Sequence, residues 1–257
     1  MKAVILAGGR GTRLGEITSL KPKPMVEIGN MPIIWHIMKL YSYYGIREFI
    51  ICAGYLGDQI KDYFVNYSLY NSDLQVDIKP KKLKFLNNEK IEDWNIKIID
   101  TGQETMTGGR LLKIKSLLDD DKPFFLTYGD GLANINLNDL LNFHLKFKKL
   151  VTITAVYPPP RFGSLVIKDN SVIKFSEKNM GDVGRINGGF FVCEKKSIDF
   201  INIDQPWESD PLKNLSKNGE LMAYEHDGVW QPMDTMRERD ILNSLWRENK
   251  APWKVWD

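Results

Sequence analysis

The stretch from Lys2 to Leu14 reads KAVILAGGRGTRL and joins a continuous apolar run to a glycine-rich segment. An uninterrupted aliphatic run such as that from Lys2 to Ala7 is typical of a strand buried on both faces of a parallel sheet. Glycines expose backbone N–H groups and let a phosphate approach where side chains would block it. Because ligands of open α/β sheets bind beyond the carboxyl ends of strands, this stretch predicts an α/β fold with a phosphate site after its first strand.

Strand and helix patterns alternate along much of the remaining chain, which predicts a Rossmann-like, mainly parallel sheet flanked by helices. We expect further strands near 49–52, 96–100, 124–128 and 151–157, and helices near 32–44, 56–64, 111–118, 137–147 and 235–248. The polar segment from Tyr67 to Asn95 breaks the alternation and predicts an inserted hairpin or arm. After Pro158-Pro159-Pro160 the strands become shorter, near 164–167, 172–175 and 189–193.

Composition excludes several classes of partner. The 257 residues are 43% hydrophobic, enough for one buried core, and the formal net charge of +2 does not indicate nucleic-acid binding. Cys52 and Cys193 lie far apart in apolar stretches, which argues against a disulfide framework and fits a reducing cytoplasm. No apolar run reaches the length of a membrane span. We therefore expect a cytoplasmic protein without membrane or nucleic-acid partners.

The glycine-rich segment differs from two well-known phosphate loops. A P-loop ends in Gly-Lys-Ser/Thr, which is absent. A dinucleotide fingerprint needs a small residue where Leu14 stands and an acidic residue after the second strand, where Cys52-Ala53-Gly54 follows instead. A nicotinamide-dependent oxidoreductase is therefore disfavoured. A glycine turn that serves packing alone remains an alternative to a phosphate site.

Cationic and hydroxyl side chains accompany this loop. Thr12 can donate a hydroxyl proton and Arg13 presents a planar cation to phosphate oxygens. Lys23 lies within Lys21-Pro22-Lys23-Pro24-Met25, where the prolines disfavour helix and can hold the lysine in place. A solvated basic loop is the alternative. The nucleotide-binding candidates at the first strand are Leu6, Ala7, Gly8, Gly9, Arg10, Gly11, Thr12, Arg13 and Lys23.

Together, Gly-Gly-x-Gly-Thr-Arg and Pro-Lys-Pro-Met resemble the sugar-1-phosphate nucleotidyltransferase family. Further stretches carry the resemblance across essentially the whole chain: Lys21–Gly29, Trp35–Met38, Met106–Arg110, Thr127–Gly131, Trp230–Thr235 and Ala251–Lys254. These stretches are most similar to members that transfer a cytidylyl group from CTP to glucose 1-phosphate. The resemblance implies release of pyrophosphate with CDP-glucose, a first step toward CDP-deoxysugars of surface polysaccharides.

The resemblance also implies an architecture and an assembly. It implies a GT-A-like nucleotidyltransferase fold in one domain over residues 1–257, with a small β subregion for the sugar. The nucleotide would bind to residues of about 1–150 and the sugar to residues of about 151–257. A homo-oligomer, either a trimer or a hexamer, is implied as well. The C-terminal segment carries three tryptophans that either pack it against the rest of the protein or form a subunit contact: Trp246, Trp253 and Trp256.

Two carboxylates are candidate ligands of Mg²⁺. Asp130 follows a buried strand directly after Gly129, where substrate can approach the backbone, and Asp234 precedes the last predicted helix. Mg²⁺ binds few carboxylates together with phosphate oxygens and water. An aspartate before a helix is more often an N-cap, but the family resemblance places both residues at its metal-binding positions. Asp130 joins Arg13 and Lys23 as the catalytic candidates.

The predicted chemistry requires mainly positioning and positive charge. A sugar 1-phosphate is already ionised at neutral pH, so it can attack without a strong general base. We expect Arg13 and Lys23 on the β- and γ-phosphates and the attacked centre, and in-line displacement at the α-phosphorus. No covalent enzyme intermediate is required.

The nucleoside candidates are Thr105, Gly108, Gly109 and Arg110, in a loop before a predicted helix. Gly-Gly-Arg stands where uridylyl- and thymidylyltransferases of the family tend to have Gly-Thr-Ala. Arg110 can donate to O2 and N3 of cytosine, and Glu104 or a backbone carbonyl can accept from N4. An exposed loop arginine is the alternative.

The sugar-phosphate candidates are Glu177, Lys178, Asn187 and Gly188. Asn179 stands where the family usually has proline. The identity of the sugar rests on the resemblance. Two other functions stay open: the same reaction with another sugar phosphate or with UTP or dTTP, and a non-catalytic sensor of sugar nucleotides.

Overall fold

The computed structural model describes residues 1–86, 91–159, 164–168, 171–176 and 184–256. In chain order the strands are β1 (Lys2–Leu6), β2 (Glu27–Ile28), β3 (Met31–Pro32), β4 (Glu48–Ala53), β5 (Asp73–Asp77), β6 (Lys82–Leu86), β7 (Asn95–Asp100), β8 (Phe124–Tyr128), β9 (Gly131–Ala133), β10 (Val151–Val156), β11 (Ser164–Lys168), β12 (Ser171–Ser176), β13 (Ile186–Cys193), β14 (Leu221–His226) and β15 (Trp230–Pro232). The helices are α1 (Ile17–Leu20), α2 (Ile33–Tyr43), α3 (Gly57–Val65), α4 (Tyr67–Asn71), α5 (Thr107–Ile114), α6 (Leu137–Phe147), α7 (Asp210–Lys217) and α8 (Met236–Arg247).

Seven of the described strands form one mixed sheet in the order β14-β10-β13-β8-β1-β4-β7. Neighbours pair in parallel except β13, which runs antiparallel to both β8 and β10. This topology confirms the predicted mainly parallel α/β sheet. Strands from both halves of the chain lie in it, since β10, β13 and β14 follow residue 150. None of the helices in the described part of the chain has the length and apolar character needed to cross a bilayer.

The central strand β1 separates two hydrophobic cores. Successive side chains of a strand point to opposite faces of the sheet. Ala3 and Ile5 pack in the core that includes α2, and Val4 and Leu6 pack in the core that includes α5. Ala3, Val4 and Ile5 are each 0% exposed, which explains the uninterrupted apolar run that the sequence shows there. Both cysteines are free and buried in these cores, and burial raises the pKa of Cys52 to about 12.

Three elements differ from the expectations. Helix α5 begins at Thr107, so Gly108, Gly109 and Arg110 lie in its first turn and not in a preceding loop. Helix α7 and the edge strand β14 were not predicted from the sequence. From Met222 onward, the edge strand β14 alternates half-buried and exposed residues, because one face packs against the protein and the other faces solvent. Its apolar content is therefore lower than that of the central strands.

The segment after α3 contains a short helix and a hairpin in which β5 pairs antiparallel with β6. Leu74 lies opposite Phe85 and Val76 opposite Leu83, so these four side chains share one face of the hairpin. All four are exposed. Such an apolar face on a two-stranded ribbon is compatible with the predicted homo-oligomer, which stays a prediction.

His36 on α2 is buried in the core, and its hydrogen bonds select the neutral ring. Its Nε2 lies 2.9 Å from the Ile28 carbonyl oxygen, to which it can donate only as N–H. Its Nδ1 accepts at 3.4 Å from the indole N–H of Trp253, which is 1% exposed. A proton on Nδ1 would face another donor. Burial lowers the pKa of His36 to about 4, and its two backbone hydrogen bonds oppose this shift.

This lowered pKa predicts acid-sensitive stability. The unfolded chain takes up the proton first, so the stability contributed by neutral His36 is complete above about pH 6.5 and is lost as the pH falls toward about 4. We expect the free energy of unfolding of the wild type to fall between pH 7 and pH 4.5 by about 2–3 kcal/mol more than that of His36→Gln. Urea titrations at several pH values measure both. If the free energies of unfolding of the wild type and of His36→Gln fell in parallel with pH, the assignment of a neutral, buried His36 would be wrong.

Candidate active site

The glycine-rich segment after β1 lines a cleft at the carboxyl ends of the parallel strands. Gly11 has a φ of +62°, which favours glycine, and it leads into a 3-10 turn over Thr12–Leu14. The cleft has a volume of about 300 Å³. Among the predicted site residues it is lined by Leu6, Ala7, Gly8, Gly9, Gly11, Arg13, Lys23, Thr105, Arg110, Gly129 and Asp130. The structure therefore brings most of the phosphate and nucleoside candidates to one cleft, and the candidates that do not line it are Arg10, Thr12, Gly108 and Gly109.

A second, larger cavity of about 670 Å³ lies between the β2–β3 hairpin and α8. Its charged groups come from Lys21, Glu27, Arg239, Asp240 and Arg247. None of the predicted site residues lines it. The chemistry therefore points to the smaller cleft, where cations, carboxylates and the exposed backbone of the glycine loop lie together.

Backbone pairing between β9 and β15 brings the two predicted metal ligands together. Gly131 pairs with Pro232, and the Met233 N–H donates to the Asp130 carbonyl oxygen at 2.8 Å. Asp130 and Asp234 each lie next to this short ribbon although they are distant in sequence. The ribbon thus places both carboxylates beside the end of β8.

Lys23 lies between these two carboxylates. Its Nζ donates to Asp130 Oδ2 and to Asp234 Oδ1 at 2.6 Å each. Arg13 Nη1 donates to Asp234 Oδ2 at 2.8 Å. The Lys23 side chain is 9% exposed and that of Arg13 is 71% exposed, so the lysine is held inside the site and the arginine lies at its mouth. Among the described residues there is no group of three or more acidic, histidine or cysteine side chains that could hold a metal.

Asp234 is not the cap of α8. Thr235 caps this helix, because its side chain accepts from the Glu238 N–H. Glu238 in turn accepts from the backbone N–H groups of Thr235 and Asp234, which completes a capping box. The Asp234 carboxylate is therefore free of the helix end and faces Lys23 and Arg13.

Arg110 is 3% exposed, and its guanidinium binds backbone carbonyls from three loops. Nη2 donates to Gly8 O at 3.0 Å, and Nη1 donates to Ala53 O at 3.1 Å and to Gly102 O at 2.9 Å. It is buried, contrary to the alternative of an exposed loop arginine. Its predicted hydrogen bonds to cytosine stay a prediction, and they would require part of this network to rearrange.

Other nucleoside candidates have structural partners. Glu104 forms an ion pair with Arg10 at the surface. Thr105 Oγ1 accepts from the Lys113 ammonium at 3.2 Å. Gly108 and Gly109 pack closely against the segment before α7: a Cβ would lie 2.6 Å from Gln205 O at the first position and 2.0 Å from Asp204 Oδ1 at the second. This close approach explains why glycine stands at both positions.

The sugar-phosphate candidates Asn187 and Gly188 lie in β13, and Asn187 contacts Tyr128. Asn187 Nδ2 donates to the Tyr128 hydroxyl oxygen at 3.3 Å, and the Gly188 carbonyl accepts from the Trp230 indole N–H at 2.6 Å. The other two sugar-phosphate candidates, Glu177 and Lys178, lie outside the described residues. The role of Asn187 and Gly188 in sugar binding stays a prediction.

Comparison with known proteins gives the family. A model of the family described as nucleotidyl transferase matches residues 2–232. The chain belongs to the nucleotidyl transferase family. This confirms the family and the class of reaction that the sequence resemblance implied.

Two curated relatives and one solved structure extend this comparison. The chain is 51% identical to the glucose-1-phosphate cytidylyltransferase of Salmonella typhimurium (strain LT2) and 44% identical to the probable glucose-1-phosphate cytidylyltransferase of Bacillus subtilis (strain 168), with 100% of each chain covered in both cases. The crystal structure of a putative glucose-1-phosphate thymidylyltransferase from Bacillus anthracis superposes with a TM-score of 0.66, covering 96% of each chain at 20% identity. The last similarity supports the fold alone.

Sequence reasoning missed a hydrogen-bonded group in this nucleotidyltransferase site. Tyr128 donates its hydroxyl proton to Glu208, whose other carboxylate oxygen accepts from Thr107 at 2.7 Å. Burial and the nearby Glu208 charge raise the pKa of Tyr128 well above its usual value, so the phenol stays neutral. Tyr128 directly precedes Gly129-Asp130, which was a usable local signal. Glu208 lies in a segment without any motif.

The glycine loop offers a matched pair of substitutions. A Cβ at Gly8 would lie 2.1 Å from Arg110 Nη1, whereas a Cβ at Gly9 would meet nothing within 4 Å. We expect Gly8→Ala to lower the free energy of unfolding by about 1–3 kcal/mol, because the buried guanidinium must leave some of its carbonyl acceptors. Gly9→Ala should stay within about 0.5 kcal/mol of the wild type.

Chemical denaturation of the three proteins measures this difference. Both variants restrict the unfolded chain alike, so the difference between them isolates the contact with Arg110. Equal free energies of unfolding for Gly8→Ala and Gly9→Ala would show that the Arg110 side chain can move away from Gly8 without loss of stability.

Proposed function

We propose that the chain transfers a cytidylyl group from CTP to glucose 1-phosphate and releases pyrophosphate. The observation that carries the proposal is the Lys23–Asp130–Asp234 cluster beside the glycine loop, at the end of the parallel strands. The names of the two curated relatives support the choice of CTP and of glucose 1-phosphate. CDP-glucose made in this way would enter the synthesis of CDP-linked deoxysugars.

The phosphates of the nucleotide would bind at the glycine loop. Backbone N–H groups of this loop and the exposed cation of Arg13 suit the β- and γ-phosphates. Lys23 would neutralise charge near the attacked α-phosphorus. The sugar phosphate then attacks in line, and the leaving pyrophosphate is stabilised by the same cations. The protein supplies position and charge, and none of its side chains has to act as a nucleophile.

We further propose that Asp130 and Asp234 hold Mg²⁺. The residues fit this ion, because the two carboxylates already face one cation, the Lys23 ammonium, through one oxygen each. Two carboxylates leave positions open for phosphate oxygens and water, as Mg²⁺ prefers. Bound there, Mg²⁺ would neutralise charge on the phosphates.

The sugar would lie against Asn187 and Gly188. Asn187 lies within reach of the Tyr128 hydroxyl, and its Oδ1 accepts from the Gly189 N–H at 2.8 Å within β13. Neutral Tyr128 and the Asn187 amide suit sugar hydroxyls, which both donate and accept hydrogen bonds. Glu177 and Lys178 remain candidates for the sugar phosphate.

Asp130→Asn tests the metal-binding assignment. The substitution keeps the shape of the side chain and removes its charge, so we expect turnover with CTP and glucose 1-phosphate to fall roughly a hundredfold or more. Asp120→Asn is the matched control, since that carboxylate is 91% exposed and pairs with Lys195. Pyrophosphate release in Mg²⁺ measures both. Near-normal turnover by Asp130→Asn would remove Asp130 from the site.

A panel of nucleotides tests the base assignment. With glucose 1-phosphate and Mg²⁺, we expect pyrophosphate release with CTP and at least about a hundredfold less with UTP, dTTP, ATP or GTP, because a mismatched base leaves buried polar groups unpaired. Pyrophosphate release with UTP or dTTP would agree with the proposed class of reaction but would reject cytosine as the recognised base. If no pyrophosphate is released with any of the five nucleotides, or with a panel of other sugar phosphates, a non-catalytic sensor would be favoured.

A further inference from the structure

Lys23 occupies the position between the two carboxylates that a metal ion would take. We propose that Lys23 is an internal substitute for the metal, so that Mg²⁺ enters the site only when the phosphates of a nucleotide draw the lysine away. The proposal rests on the proposed metal-binding role of Asp130 and Asp234. It makes Lys23 a residue that couples binding of the cation to binding of the nucleotide, in addition to its contact with phosphate.

The geometry makes the two cations mutually exclusive. Lys23 Nζ lies 2.6 Å from Asp130 Oδ2 and 2.6 Å from Asp234 Oδ1. Mg²⁺ binds carboxylate oxygens at about 2.0–2.1 Å and demands a nearly octahedral set of ligands. An ammonium and a magnesium ion cannot both lie between the same pair of oxygens. The remaining Oδ2 of Asp234 is already bound by Arg13 at 2.8 Å.

Charge and burial determine whether the Lys23 ammonium or Mg²⁺ lies between the two carboxylates. Lys23 and Arg13 together balance the two carboxylates, so the cluster is neutral without metal. A divalent cation that displaced Lys23 would leave an ammonium that is 9% exposed without its acceptors, and an unpaired buried charge is unfavourable. Mg²⁺ alone therefore competes poorly for the free protein.

A nucleotide changes this balance. Lys23 and the glycine loop line the same cleft, so phosphate oxygens bound there supply new acceptors for the ammonium. Once Lys23 donates to the phosphates, both carboxylates are free to bind Mg²⁺, which the phosphates also attract. Because coupling between two ligands is reciprocal, the metal strengthens nucleotide binding by the factor by which the nucleotide strengthens metal binding.

Mg²⁺ binding to the protein without nucleotide tests the proposal by isothermal titration calorimetry. We expect K23M to bind Mg²⁺ about tenfold more tightly than the wild type, as expected for removing one charge-assisted competitor. K21M is the matched control, because Lys21 lies in the same proline-flanked segment but pairs with Glu27 at 2.7 Å. Its affinity should equal that of the wild type. In K23M/D130N the gain should disappear.

Equal or weaker Mg²⁺ binding by K23M than by the wild type would overturn the proposal. So would a gain of the same size in K21M. If K23M does not fold, K23Q replaces it, since glutamine keeps a polar side chain without the competing charge. Circular dichroism establishes the fold of each variant before titration.

The outcome is separable from that of the proposed function, because the titration contains no substrate. Pyrophosphate release by the wild type with no gain in metal affinity for K23M would reject the coupling and keep the reaction. A gain for K23M without pyrophosphate release from any nucleotide would keep the competition and reject the reaction.

Discussion

The pairing of β9 with β15 is the constraint on which the site depends. It joins only short strands, in the register Gly131–Pro232, Leu132–Gln231 and Ala133–Trp230. Asp130 follows β8 directly, whereas Asp234 is distant in sequence and is brought beside Asp130 by the β9–β15 pairing. The capping box of α8 adds a second restraint, because Glu238 holds the Asp234 and Thr235 N–H groups and so fixes the direction of the chain at the carboxylate. Backbone hydrogen bonds, more than side-chain packing, thus determine the separation of the two acids.

A second restraint acts on the opposite wall of the cleft. The Arg110 guanidinium binds carbonyls from the loops that follow β1, β4 and β7, which are neighbours in the sheet. Loops at strand ends are usually the most mobile parts of an α/β fold. One buried cation that binds carbonyls at the ends of three neighbouring strands reduces that freedom, because it ties the three chain segments to one group. Gly8 and Gly54 leave the space it occupies, since a Cβ at either position would lie within 2.5 Å of Nη1.

Local patterns explain how much of this was predictable. The aliphatic run of β1, the glycine loop and the proline-flanked lysine are contiguous, so their structure follows from neighbouring residues and was anticipated. The approach of Asp130 to Asp234 spans a long sequence separation, and only family resemblance indicated it. The Tyr128–Glu208–Thr107 group was not predicted because three segments distant in sequence form it and the segment that contributes Glu208 carries no motif. Arg110 was placed in a loop because glycines usually disfavour helix, yet Gly108 and Gly109 occur in α5, where the segment before α7 packs too closely for a side chain.

Electrostatic balance connects these restraints to function. The site brings two acids together, which is unfavourable unless cations accompany them. In the free protein Lys23 and Arg13 provide this compensation, and both donors are also suited to phosphate. Under the proposed function, the cations that balance the two acids are also the groups that would bind the phosphates of a nucleotide, and their movement toward phosphate would expose the carboxylates to a metal. A site built in this way would hold its charge inside the protein before substrate binds, and binding would redistribute that charge without leaving an acid unpaired.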